Sequence, residues 1–242
     1  MGRNPRAIPR RERLIVALDV PTVAEARRLV ENIGAAANFY KIGLELATCG
    51  GYYELAGWLA QRGHRVFADL KLYDIPETVR RAVANLRGRG VSFLTVHGNR
   101  AIMEAAAREK GAMQVLAVTV LTSLDQRDLE EMGYRGDAGE LVPQLVLQRA
   151  GGALAAGCDG VIASGLEAPA IKAKYGERLL VVTPGIRPAG GDPGDQKRTV
   201  DVAQAFANGA DYIVVGRPVR DAQDPAAAAA AIQATIAEVF SS

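Results

Sequence analysis

The chain has 242 residues, of which 49% are hydrophobic and 23% charged, with 26 Gly, 11 Pro, 2 Cys and 2 His. That is the composition of a globular protein with a large core, and it excludes a disordered chain, a collagen-like repeat and a disulfide scaffold. Lys plus Arg number 29 against 27 Asp plus Glu, a formal net charge of +2. A balance so close to neutral gives no global field for nucleic acid or an anionic membrane, so any anion must be met by a local site.

The chain opens on MGRNPRAIPRRER, with five Arg in 13 residues. This segment lacks the apolar stretch of a signal peptide, and no later run is long and uncharged enough to span a bilayer, so a cytoplasmic protein is expected. Residues 1–12 read as a solvated basic tail and residues 13–242 as one domain, since α/β barrels use about 200 to 250 residues as a single unit. Cys49 and Cys158 form no CxxC pair and read as reduced structural thiols. His64 and His97 are the only imidazoles, which excludes a His-rich zinc site and an H-E-x-x-H protease by counting.

Eight short runs rich in Val, Ile and Leu then alternate with helical patterns, as parallel strands buried on both faces require. In chain order they are LIVALDV (14–20), NFYKIGL (38–44), HRVFADL (64–70), SFLTVHG (92–98), QVLAVTV (114–120), GVIASG (160–165), LLVVTPG (179–185) and DYIVVG (211–216). Eight βα units fit a closed TIM (β/α)8 barrel, a single α/β domain. Between the first two runs, Thr22 and Glu25 form a capping box before the stripe Ala26, Leu29, Val30 and Ile33. The Gly/Pro-rich stretch RPAGGDPGDQKR (187–198) follows the seventh run, and a loop there overhangs the barrel's C-terminal face as a mobile lid. Asp224 and Pro225 open a last helix whose buried face is Ile232, Ile236, Val239 and Phe240.

Barrel enzymes work at the C-terminal ends of their strands, and polar residues gather there. Asp19 ends the first run, Lys41 lies in the second, Asp69 and Lys71 end the third, His97 the fourth, and Thr122 and Ser123 follow the fifth. Residues two apart on a strand share a face, so Asp69 and Lys71 point inward while Ala68 and Leu70 face the helices. With Lys41 and Asp74 they make a neutral array of two ammonium and two carboxylate groups, a pattern that favours the charged form of each member. Such an array is either a structural ion-pair cluster or a reaction centre, and its place at a barrel mouth favours the second. Asp74 also fits a helix N-cap, with Pro76 and Glu77 after it. A lone strand-end imidazole such as His97 reads first as a structural group.

The second constellation follows the seventh and eighth runs, where many barrels hold phosphate. Thr183-Pro184-Gly185-Ile186-Arg187 and Val215-Gly216-Arg217 each offer a Gly for close backbone approach and an Arg for bidentate contact. Gln196, between them, adds an amide donor from above.

In this order, LIVALD, YKIGLE, FADLKLYDIPETV, TVHG, VLTS, VVTPGIRP with a downstream GDQ, and YIVVGRPV resemble the bacterial orotidine 5′-monophosphate decarboxylase family from Leu14 to the last helix. The resemblance implies conversion of orotidine monophosphate to UMP and CO2, the last step of pyrimidine synthesis, without metal or organic cofactor. It makes Lys71 the proton donor to C6 of the pyrimidine and sets Asp69 against the scissile carboxylate. Lys41 would bridge Asp69 and the ribose, and Asp19 would bind ribose hydroxyls. Thr122 and Ser123 match the pyrimidine-contacting turn; Arg187, Gln196, Gly216 and Arg217 match the phosphate grip, and Pro184 is a further substrate-binding position. Asp74, Ile75 and Thr78 would reach the neighbouring subunit's site, implying a homodimer with two shared sites.

Relatives acting on 3-keto-gulonate 6-phosphate, and hexulose phosphate synthase, share the DxKxxD pattern but use Mg²⁺ with a carboxylate after the second strand. Lys41 stands at that place here, and an ammonium repels Mg²⁺. A Schiff-base aldolase needs a neutral lysine, which the flanking carboxylates disfavour. From a different class, a non-catalytic nucleotide-binding barrel would keep the phosphate grip without needing the Asp69, Lys71 and Asp74 array.

Overall fold

A computed structural model describes residues 8–187 and 199–241. The apolar runs become eight parallel strands: β1 (Leu14–Ala17), β2 (Phe39–Ile42), β3 (Arg65–Leu72), β4 (Val91–Val96), β5 (Gln114–Val118), β6 (Gly160–Ile162), β7 (Leu180–Thr183) and β8 (Tyr212–Val215). They pair in sequence order, and β8 returns to β1 through Leu14 opposite Ile213 and Val16 opposite Val215, closing the expected (β/α)8 barrel. Every strand but β3 ends one to three residues before the corresponding apolar run does. Asp19 and His97 therefore stand just beyond the ends of β1 and β4.

The alternation divides two apolar layers. Ile15 and Ala17 of β1, with Phe39, Phe67 and Phe93, fill the barrel interior, whereas Leu14, Val16, Tyr40, Ile42, Val66 and Ala68 face the helices. The interior's lower half is an aromatic plug: Phe93 lies 5.0 Å from both Phe39 and Tyr212, edge to face. Arg65 closes it from below, its guanidinium 4.3 Å from the Phe39 ring centre and Nη1 2.7 Å from Glu12 Oε2. Side chains that large leave open space only towards the C-terminal ends of the strands.

Two of the surrounding helices start at the caps the sequence signals place. Thr22 Oγ1 accepts the Glu25 N–H at 3.2 Å and caps the helix Val23–Ile33, which buries Ala26, Leu29, Val30 and Ile33. Asp224 caps Pro225–Val239 through the Ala227 N–H. That helix buries Ala229, Ile232 and Ile236, while Val239 and Phe240 are partly buried against the core. At the other terminus, Arg10–Glu12 forms a single 3-10 turn and Arg13 is buried, stacked 4.0 Å from the Phe240 ring centre. Most of the basic tail and most of the expected lid, including Gln196, lie outside the described residues. Cys49 is exposed and Cys158 buried, both free; burial pushes the Cys158 thiol up to about 12. No helix among the described residues is long and apolar enough to cross a membrane.

Candidate active site

Asp19, Lys41 and Asp69 occupy inward positions at the mouth ends of three adjacent strands, and barrel closure turns that parity into contact. Lys41 Nζ lies 2.8 Å from Asp19 Oδ1 and 3.5 Å from Asp69 Oδ2, and Lys71 Nζ lies 2.9 Å from Asp69 Oδ1. The chain Asp19, Lys41, Asp69, Lys71 thus alternates in sign. Its middle is buried and its ends open outward: the Lys41 and Asp69 side chains are 11% and 13% exposed, Lys71 and Asp19 33% and 41%. Burial alone would raise the Asp69 carboxyl, but Lys41, Lys71 and the hydrogen bonds from Lys71 and Thr95 outweigh it and hold Asp69 below its ordinary value. Burial likewise opposes the Lys41 charge, yet Asp69 and Asp19 carry its ammonium above the ordinary lysine value.

Lys71 reaches this array by a route that strand alternation does not describe. β3 pairs with β4 as Ala68 opposite Leu94 and then Leu72 opposite Val96, so β3 carries two more residues than its partner over that interval. Within the irregularity Lys71 has φ 46°, the one non-glycine residue with positive φ among those described. The left-handed region costs an L-residue about 1 kcal/mol or more, and such strain persists where surrounding contacts over-determine it. Here the Lys71 N–H, which has left the ladder, donates to Thr95 Oγ1 at 2.9 Å. Thr95 was not among the residues singled out from the sequence, although it stands two positions after inward-facing Phe93. Its hydroxyl also donates to Asp69 Oδ1 at 2.8 Å.

The ionic chain forms one wall of a cavity of about 500 Å³ at the barrel mouth. Thr122 and Ser123 line it after β5, Pro184 and Arg187 after β7, and Gly216 and Arg217 after β8. The two constellations therefore belong to one cavity, whose floor is Ala17, Phe67, Ile162 and Val214. Gly185 takes φ 77°, which carries the chain around to Arg187. Arg220, also missed in the sequence reading, lines the same wall, and its Nη1 donates to the Asp19 backbone oxygen at 2.7 Å. It stands three residues after Arg217 on the helix Arg217–Arg220, a spacing that puts both on neighbouring turns.

Asp74, Ile75 and Thr78 are exposed and do not line this cavity. The second carboxylate of the array in this chain is Asp19, whereas the sequence reading put Asp74 there. Strand β3 ends at Leu72, so Asp74 lies beyond the mouth, where its Oδ1 accepts the Ile75 N–H at 2.6 Å. Nor is Asp74 the helix cap: the helix Pro76–Leu86 has Ile75 at its N-cap without a side-chain bond, and Glu77 pairs with Arg80 and Arg81. His97 is partly buried and does not line the cavity; its ring lies 5.7 Å from the Tyr73 ring centre. Burial, with Arg149 and Lys71 nearby, lowers its imidazole below the ordinary value. Among the described residues no group of three or more His, Cys, Asp or Glu is placed to hold a metal ion.

Residues 12–232 match the family model described as "Orotidine 5'-phosphate decarboxylase / HUMPS family". The chain belongs to the orotidine 5'-phosphate decarboxylase family. It is 58% identical over 236 residues to the orotidine 5'-phosphate decarboxylase of Methylococcus capsulatus, covering 97% of this chain and 96% of that one. To that of Stenotrophomonas maltophilia it is 50% identical over 242 residues, with 99% of each chain covered. The crystal structure of the Lactobacillus acidophilus orotidine 5'-phosphate decarboxylase superposes with a TM-score of 0.81 at 34% identity, covering 93% of this chain and 99% of that one. The barrel is thus shared with the Lactobacillus acidophilus structure at 34% identity, and half or more of the aligned positions with the Methylococcus capsulatus and Stenotrophomonas maltophilia proteins.

Proposed function

We propose that the protein decarboxylates orotidine 5′-monophosphate to UMP and CO2, the last step of UMP synthesis, with Lys71 as the proton donor. The observation that carries this reading is the single cavity with a four-member chain of alternating charge on one wall and Arg187, Gly216 and Arg217 on another. A nucleoside monophosphate has matching ends: a dianion at one and a reacting ring carbon at the other. The phosphate binds at Arg187, Arg217 and the Gly216 turn, with Pro184 beside it and Gln196 as a further amide donor. Thr122 and Ser123 face the pyrimidine, Asp19 and Lys41 the ribose hydroxyls.

Breaking the bond from C6 to the carboxylate releases CO2 and leaves its electron pair on C6, in the ring plane, where the π-system cannot absorb it. A fixed cation beside that carbon is the local stabiliser. Lys71 supplies the charge and then its proton to C6, giving UMP; the neutral amine regains a proton from solvent. Asp69 holds the ammonium in place and lies against the scissile carboxylate. Because both lysines are paired before substrate arrives, little reorganisation accompanies the reaction, and phosphate binding far from C6 supplies the energy that positions the ring. No metal or organic cofactor enters this scheme.

The protein acts as a homodimer in the cytoplasm. Tyr73 and Ile75 are 69% and 67% exposed, apolar side chains on the segment that also carries Asp74 and Thr78 away from their own cavity. A second copy covers this segment and receives Asp74, Ile75 and Thr78 at its site.

The test is the ultraviolet absorbance change of orotidine monophosphate on adding purified protein, once with EDTA and once with Mg²⁺. Equal, rapid conversion to UMP in both is expected. Folded protein that binds UMP without turnover would point to a non-catalytic nucleotide-binding barrel, and turnover only with Mg²⁺ would overturn the metal-free scheme.

A further inference from the structure

Thr95 is fully buried on β4, at an interior position where an apolar side chain of the same shape would pack without needing a partner. A buried hydroxyl is retained where it is hydrogen-bonded, and here both partners belong to the reaction centre. The direction of each bond follows from chemistry. A backbone N–H can only donate, so the Thr95 oxygen accepts from Lys71 at 2.9 Å, and its single hydrogen is left for Asp69 Oδ1 at 2.8 Å. The same Oδ1 receives Lys71 Nζ at 2.9 Å. Backbone N–H, hydroxyl, carboxylate and ammonium therefore form a ring in which Lys71 is held at both ends.

We infer that Thr95 is a positioning residue, whose hydroxyl fixes the left-handed backbone of Lys71 and the orientation of Asp69 so that the ammonium is held at the reacting carbon. This inference rests on the decarboxylase reading above. Three features support it. Threonine is stiff about χ1, and its backbone is set by β4 pairing with β5, Thr95 opposite Leu116; the hydroxyl is thus aimed by the sheet rather than by the site. The Lys71 N–H has no ladder partner to return to at the register shift. At zero exposure, water does not replace a lost hydroxyl. Glycine or asparagine would relax the backbone at position 71, but only lysine brings the ammonium, so the strain is held from the neighbouring strand.

The experiment compares wild type, Thr95→Val and Thr95→Ser as full-length protein, measuring kcat and KM for orotidine monophosphate and the Kd of UMP. Valine keeps the shape and removes both hydrogen bonds, one of them to a charged group, so kcat falls about 10- to 100-fold. The UMP Kd and KM stay within about threefold, because substrate binding draws on the phosphate grip rather than on Thr95. Serine restores kcat to within about threefold of wild type by returning the hydroxyl. Should Thr95→Val not fold, Thr95→Cys, with a thiol that donates weakly, takes its place with the same expected split between kcat and KM. Unchanged kcat in the hydroxyl-less variant, loss of UMP binding in step with kcat, or failure of serine to restore turnover would each overturn the assignment. A wild type that binds UMP but does not turn over would instead overturn the decarboxylase reading itself.

Discussion

Both ends of the barrel hold ion pairs, but the carboxylates are satisfied differently. At the N-terminal end Asp159 Oδ2 accepts the Val115 N–H and the Lys110 ammonium, both at 2.9 Å. Asp211 Oδ2 accepts the Val181 N–H at 2.8 Å and the Lys172 ammonium at 2.7 Å. Each of these carboxylates joins the main chain of one strand, at Val115 or Val181 of the helix-facing layer, to a lysine outside the sheet. At the C-terminal end Asp69 takes its donors from the side chains of Lys41, Lys71 and Thr95, and the chain it belongs to borders a cavity. Ion pairing alone therefore does not mark a reactive site. The distinguishing feature is that the charges at the mouth are fixed by one another and keep a face towards open space, where a ligand can complete them.

The largest effect that tests this contrast is on turnover. Lys71→Ala is expected to lower kcat on the order of 10⁴-fold, through loss of both the fixed cation and the proton donor, while the protein still folds and binds UMP. Near-normal turnover would remove Lys71 from its role and erase the distinction between the two ends.

A second test concerns the segment after β3, which belongs to neither end of its own barrel. Lys71→Ala and Asp74→Ala homodimers are each expected to be inactive. A one-to-one mixture that exchanges subunits should regain about a quarter of wild-type activity, since half its dimers hold one intact site. No recovery despite demonstrated exchange would place Asp74 at its own subunit's site or at none.

At the opposite end the effect moves from rate to stability. Asp211→Asn leaves the Lys172 ammonium without its buried partner, and denaturant unfolding should show a loss of about 2 to 4 kcal/mol. The kcat of the folded fraction should be that of wild type, and a large fall in kcat without loss of stability would contradict the division proposed here.

The smallest effect is the pH dependence of folding. Asp69 is held below its ordinary value, so its contribution is present above the ordinary carboxylate range and is lost as pH falls through the lowered value. Lys41 is held above its ordinary value, so its contribution is present below the ordinary lysine range and is lost as pH rises through the raised value. Between the two ranges these groups add no slope, while the lowered imidazole of His97 makes stability rise as pH climbs towards the ordinary histidine value. Asp69→Asn should flatten part of the acid slope, and an unchanged slope would show that Asp69 contributes none of it.

Much of this was legible in the chain itself. The stripe Ala26, Leu29, Val30 and Ile33 and the cap at Thr22 depend only on residues within one or two turns, and they stand as the pattern requires. The eight strands follow from apolar runs, and Asp69 faces inward by alternation from Phe67. Lys71 is a different case. Its inward direction came from the same alternation, yet the structure achieves it with a left-handed residue at a register shift, a feature that exists only in the pairing of β3 with β4. Thr95 was overlooked because a threonine in a strand carries no signal of its own until its neighbour's backbone is known.

Alternation, capping and motif order are local properties of the chain, and they were enough to specify the class of fold and the chemical groups at the barrel mouth. How those groups are joined depends on contacts between residues far apart in the chain. Asp19 and Lys41, 22 residues apart, meet at 2.8 Å, and Asp69 and Thr95, 26 residues apart, at 2.8 Å. Asp74, five residues from Asp69 in the chain, stands outside the array. Charge pairing falls steeply with distance, and distance across the mouth is set by which strands the closed barrel makes neighbours.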